Sequence, residues 1–140
     1  MNRIARYLVP VAGVAMLAGC GVKQGFEDAS ADVARFHQAL DRGDVQRLWD
    51  EADPQFRKAT PRAQFDRLVA AIRTKLGKVK ASKQVGWNAN ASTSGTFLTV
   101  TAQTTFERGT GTEEFVFAKH AGQRPRLAGY DIQSQDMMLD

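Results

Sequence analysis

The run Thr96-Phe97-Leu98-Thr99-Val100-Thr101-Ala102-Gln103-Thr104-Thr105-Phe106-Glu107 decides the fold. Leu98, Val100, Ala102 and Phe106 fall on one parity, and Phe97, Thr99, Thr101, Gln103 and Thr105 on the other. Residues two apart share a face of a strand, so the pattern predicts a strand packed on one side and wet on the other. On one side of it, Val79 to Trp87 reads as a strand with Val79, Ala81, Val85 and Trp87 inward, and Asn88 to Gly95 as a small polar loop. On the other side, Gly109-Thr110-Gly111 turns the chain into Thr112–His120, where Phe115 and Phe117 share a face. Gly122 to Pro125 turns it again into Leu127–Ser134. Connections this short join antiparallel neighbours, which makes a meander with one face free to receive helices.

Helical spacing fills the chain before it. Phe26, Ala29, Val33, Phe36 and Leu40 lie three and four apart, giving one apolar face of a first helix that ends near Gly43. A short helical piece runs from Asp44 through Val45, Leu48 and Trp49, and Asp53-Pro54 breaks the path. Thr60 as N-cap, Pro61 at the first position and Gly77 past the end bracket a third helix, with Phe65, Leu68, Val69, Ile72 and Leu76 in one stripe. The expected fold is therefore α+β: three N-terminal helices packed on a curved four-stranded antiparallel sheet, a reduced cone-shaped roll.

The N-terminus has a different character. Arg3 and Arg6 precede thirteen uncharged residues, Tyr7 to Gly19, which as a helix would cover roughly 20 Å, short of the roughly 30 Å of a bilayer core. A secretory signal fits better than a spanning helix. Leu17-Ala18-Gly19-Cys20 resembles the lipobox of bacterial lipoprotein signals, in which the cysteine is acylated and the chain is cut just before it. Ala18 and Gly19 are small enough for a peptidase groove, and Cys20 is the sole thiol of the chain. The resemblance implies membrane lipid as a partner through Cys20, and a periplasm-facing place in the cell envelope. Gly21 in place of an Asp points to the outer membrane rather than the inner. The expected organisation is a signal over 1–19, a lipidated cysteine and tether over 20–25, an α+β domain over 26–135 and a tail over 136–140.

Composition narrows the function. At 140 residues with 43% hydrophobic side chains the chain is one ordinary globular domain, and one cysteine excludes a disulfide framework. The formal charge falls from +4 to +2 once Arg3 and Arg6 leave with the signal, so nucleic-acid binding loses its main argument. Residues 57–83 still hold nine basic side chains against Asp66, whereas 27–54 hold eight acids against three arginines. A headgroup-binding or polymer-binding spacer is one reading of the basic stretch, and an ordinary solvated helix is the plainer one.

The order of helices and strands resembles the nuclear-transport-factor-2-like superfamily and, more closely, small bacterial secreted proteins grouped as a domain of unknown function. The residues that carry it are Phe36 and Leu40 with Asp41 and Gly43, Trp49, Phe56, Leu76-Gly77, Gly95-Thr96-Phe97 with Val100, Phe106, Glu113 or Glu114 before Phe115, and Gly129-Tyr130-Asp131-Ile132. Arg124-Pro125-Arg126 departs from it, since relatives often carry a Trp there. The resemblance brings no catalytic residues with it.

Four residues are candidates for lining a cavity in such a fold: His37, Lys83, Trp87 and Tyr130. His37 flanks the inner face of the first helix. Tyr130 shares parity with Ile132 and points inward, so its neighbour Asp131 points out. Lys83 interrupts the inward set of its strand, and a bulge near Ser82, a rim position or a polar cavity would each accommodate its ammonium. His37 and His120 have no carboxylate at a ligand spacing beside them, so no metal and no cofactor is expected. The expected function is a non-catalytic binding or accessory module whose partner is an envelope protein or a small apolar ligand, with no nucleic acid. The alternatives are a small isomerase-type or hydrolyase-type enzyme using His37 or Tyr130, and the anionic-surface spacer.

Overall fold

The structure, a computed structural model, describes residues 18–93 and 95–139; of residues 18–23, 25 and 26 it describes the backbone alone. The greater part of the expected signal and the Cys20 side chain therefore lie outside the described residues. Four helices precede the sheet: α1 (Ala18–Arg42), α2 (Val45–Glu51), α3 (Pro54–Ala59) and α4 (Arg62–Lys75). The strands β1 (Val79–Ser92), β2 (Gly95–Phe106), β3 (Gly109–Lys119) and β4 (Arg126–Gln133) come next, and α5 (Gln135–Met138) comes last. The four strands are antiparallel and lie in sequence order.

The expectation of three helices in a reduced cone-shaped roll is corrected by this element order: five helices are present among the described residues. The additional helices are α3 and α5. Asp53-Pro54 starts a helix instead of merely ending a path. Asp53 is extended, its Oδ1 accepts the Gln55 N–H at 2.9 Å, and Pro54 takes the first helical position, where its missing N–H costs nothing. Thr60 consequently closes α3, its N–H donating to the Phe56 carbonyl, and Pro61 stands at the N-cap of α4. The described part of the first helix, from Ala18 onward, takes in residues 20–25, where the sequence suggests a tether.

The end of α1 is set locally. The Gly43 N–H donates to Leu40 O at 3.0 Å and the Asp44 N–H to Ala39 O at 2.9 Å. This paired closure needs a left-handed residue, and Gly43 supplies φ +69°. Asp44 then caps α2 by accepting the Arg47 N–H. Asp41, in the last turn of α1, accepts the Val79 N–H at 3.0 Å and so ties the start of β1 to the end of the helix.

The core lies between the helices and the inner face of β2, β3 and β4. Phe65, Val69, Ile72 and Leu76 of α4 are buried, as are Leu98, Val100, Ala102 and Phe106 of β2. Phe36 of α1 meets Phe115 edge-on at 5.2 Å and Tyr130 at 4.7 Å between ring centroids. A second aromatic group, Trp49, Phe56 and Phe65, joins α2, α3 and α4.

The strand β1 is different, since no residue along it is fully buried. Its pairing with β2 shifts register between Val79 and Ala81 and again between Gln84 and Gly86. The extra residue at Lys80 reverses the parity of the next stretch of the strand, because two residues of the bulged strand oppose one on its partner. Ser82 and Gln84, opposite Thr104 and Ala102, therefore face the helices, and Ala81 and Lys83 face away.

Candidate functional site

The inner face of the sheet carries an acid at its centre. Glu113 shares parity with Phe115 and Phe117 on β3 and has 0% exposure. A carboxylate so placed must be satisfied from within. Its Oε1 accepts from His37 Nε2 at 2.8 Å and from Thr104 Oγ1 at 2.5 Å, and its Oε2 accepts from the Tyr130 hydroxyl at 2.6 Å. Three elements supply these donors: α1, β2 and β4. Thr104 spends its one hydroxyl hydrogen on Glu113, so in its 2.9 Å contact with Ser82 the serine donates. His37 must likewise carry its proton on Nε2 to face a carboxylate.

The surroundings harden this arrangement. Burial, the Glu113 charge and the hydrogen bond to it, and the Asp131 charge together push the Tyr130 phenol well above its ordinary range, so it stays a donor. Between ring centroids Phe36 lies 6.2 Å from His37 and 4.7 Å from Tyr130, and Phe115 lies 5.8 Å from His37 and 5.1 Å from Tyr130. His37 also forms part of the wall of a cavity of about 170 Å³ between α1 and the first two strands, with Ser30, Ser82 and Gln84 as its polar members. Ser30 Oγ donates to Gln84 Oε1 at 3.2 Å.

The four candidate cavity residues thus separate. His37 and Tyr130 converge on one carboxylate. Lys83 does not join them: it is exposed on the outer face, because the bulge at Lys80 turns it there and spares an ammonium from burial. Trp87 lies opposite Val100 on the helix side of the sheet but is 50% exposed, since β1 extends past the well-packed part of the core. It does not line the cavity beside His37. Sequence reasoning misses Glu113 and Thr104 as site residues, although parity with Phe115 and with Val100 marks both as inward-facing polar groups.

Two further arrangements involve charge. Asp53, 3% exposed, takes the His120 ring through Oδ2 at 3.1 Å while its other oxygen caps α3. A cleft of about 230 Å³ opens between α1, the end of α2 and the approach to β4. Phe36, Leu48, Phe117 and Leu127 form its apolar side, and Asp32, Arg35, Arg124 and Arg126 stand around it; Trp87 has no part in it. Asp32 Oδ1 meets Arg35 at 2.7 Å and Arg124 at 3.4 Å, and burial raises the Asp32 pKa despite the opposing pull of Arg35. Among the described residues no group of three or more His, Cys, Asp or Glu side chains could hold a metal ion, and no helix is long and apolar enough to cross a membrane.

Helices followed by a four-stranded antiparallel meander, with an acid buried at their junction, define the class as an α+β domain. The chain belongs to the family described as Protein of unknown function (DUF4019), whose pattern matches residues 32–130 and so takes in His37, Thr104, Glu113 and Tyr130. It is similar to a solved structure from Catenulispora acidiphila, with 15% identity and a TM-score of 0.58 over 85% of this chain and 97% of that one. It is also similar to the structure of Bdellovibrio bacteriovorus Bd1075, with 12% identity and a TM-score of 0.50 over 77% of this chain and 41% of that one. At these identities the likeness is one of fold. No curated protein matches the chain.

Proposed function

We propose that the chain is a non-catalytic binding or accessory module, held at a cell-envelope membrane through an acylated Cys20. The observation that carries the non-catalytic part is the closure of Glu113: at 0% exposure its carboxylate accepts three donors, all from the protein itself. A general base needs to reach a proton on its substrate. The cavity beside His37 holds about 170 Å³, and neither Glu113 nor Tyr130 lines it. On this reading the Glu113 group serves to set the helices on the sheet.

Support for the anchor is in the sequence: Arg3 and Arg6, the uncharged run to Gly19, and a lone cysteine after two small residues. Two or three acyl chains, at about 0.8 kcal/mol per buried methylene, hold a protein durably on a bilayer. An outer-membrane, periplasm-facing location and the nuclear-transport-factor-2-like kinship belong to the same reading. Native mass spectrometry of protein extracted from its own membrane tests it, with Cys20→Ser beside it. The expected result is a chain starting at Cys20 with acyl mass added, and a Cys20→Ser form that leaves the membrane fraction. Identical maturation and fractionation of the two would remove the anchor.

A further inference from the structure

We propose that the cleft between α1, α2 and β4 is a receptor for the C-terminal residue of a peptide bearing an apolar side chain. The inference rests on the binding-module reading and assigns its site. Three features of the cleft select that chemistry together. Phe36, Leu48, Phe117 and Leu127 are each under 10% exposed and present an apolar wall to a space of about 230 Å³. The space is open on one side, so it receives one large side chain while the rest of a ligand stays at its mouth.

The second feature is cationic. Arg126 donates from Nε to Glu51 O at 3.3 Å and from Nη2 to Asp50 O at 3.2 Å, both neutral acceptors at the end of α2. Its charge meets no carboxylate among the described residues. Arg124, with 61% of its side chain exposed, reaches only the Asp32 oxygen already held by Arg35. Glu51, the other acid of the cleft, pairs with Arg47 at 3.0 Å. Positive charge thus exceeds negative where the cleft opens, and a guanidinium pair suits a planar carboxylate.

The third feature is an acceptor without a donor. Asp32 lines the cleft, and its Oδ2 is buried and has no hydrogen-bond partner. A lone carboxylate oxygen beside two arginines would repel a second bare carboxylate, but it accepts an N–H well. An N-acylated α-amino acid carries all three complements at once: an N–H for Asp32, a carboxylate for Arg124 and Arg126, and a side chain for the apolar wall. A simple fatty acid lacks the first, and an internal peptide segment lacks the second.

Titration of the ¹⁵N-labelled full chain with N-acetyl-L-phenylalanine, its C-terminal amide and phenylacetate tests the assignment. The free acid is expected to bind at about millimolar concentration and shift resonances at residues 32–36, 48–51 and 124–127. The amide and phenylacetate are each expected to bind about tenfold more weakly, as loss of one charge-assisted hydrogen bond implies. Arg124→Gln should bring acid and amide closer together, and Asp32→Asn should remove the advantage of the acid over phenylacetate. Equal binding of acid and amide, or shifts confined to other regions, overturns the proposal. If the acid leaves the cleft unshifted while native mass spectrometry finds a guest, the cleft assignment falls and the binding module stands.

Discussion

Removing the Tyr130 hydroxyl isolates what the buried acid contributes. In Tyr130→Phe the ring contacts to Phe36 and Phe115 remain, and only the 2.6 Å donation to Glu113 Oε2 is lost. That oxygen sits where Glu113 has no exposure, so water does not replace the donor. A hydrogen bond to a charged group contributes about 1.5–3 kcal/mol, a large share of the roughly 5–15 kcal/mol that holds a typical domain folded. Glu113→Gln should cost about 1–3 kcal/mol, because the charge-assisted hydrogen bonds become neutral ones even where the Tyr130 hydroxyl turns to accept from the new amide nitrogen. The double variant should be less destabilised than the sum, since both changes act on one contact. Equilibrium unfolding in urea, followed by circular dichroism and by fluorescence of Trp49 and Trp87, measures all three. At a slope of about 2 kcal/mol per molar, Tyr130→Phe moves the midpoint down by roughly 1 M. A Tyr130→Phe midpoint matching the parent's, or strict additivity in the double variant, would refute the account of Glu113 as an internally satisfied charge.

Other perturbations have definite signs. Burial raises the folded-state pKa of Asp32 above its unfolded value, so its contribution is most favourable below about pH 3.8 and declines as pH rises through the folded pKa. Asp32→Asn should accordingly raise thermal stability at pH 7, with the gain shrinking toward pH 4, even as it weakens ligand binding. For Tyr130 the raised phenol pKa means that stability is full below about pH 10 and falls as pH rises from there toward the folded value. Unfolding followed from about pH 9 to 12 should show that loss in the parent and less of it in Tyr130→Phe. Asp53→Ala removes the cap of α3 and should cost about 1 kcal/mol by denaturant titration; His120, with 42% of its side chain exposed, returns to water with little further loss.

Parts of this molecule are readable residue by residue because the interactions that make them are local. The period of β2 and the glycine stop after α1 depend on residues within a few positions of one another; the turn expected at Gly109-Thr110-Gly111 falls instead at Glu107-Arg108, and those three residues open β3. The difficulty at Asp53-Pro54 is local too: the same dipeptide ends one path and begins another helix, and only the chain direction beyond it distinguishes the two. In β1 the difficulty is one of phase. Strict alternation places Ala81 and Val85 inward, but a bulge at Lys80 exchanges the faces, and nothing in Val79-Lys80-Ala81 announces a bulge.

The sequence alone determined that helices come first and an antiparallel meander after them, that the helix faces are apolar, and that one thiol stands behind a leader-like run. Tertiary structure decided which polar groups meet. Glu113 draws its partners from positions 76, 9 and 17 residues away, and Arg124 reaches an aspartate 92 residues distant. Caps and periods arise from backbone geometry over a turn or two, so they leave a pattern in the chain. A buried charge gathers whatever donors packing brings to it, and that selection exists only once the helices have come down on the sheet.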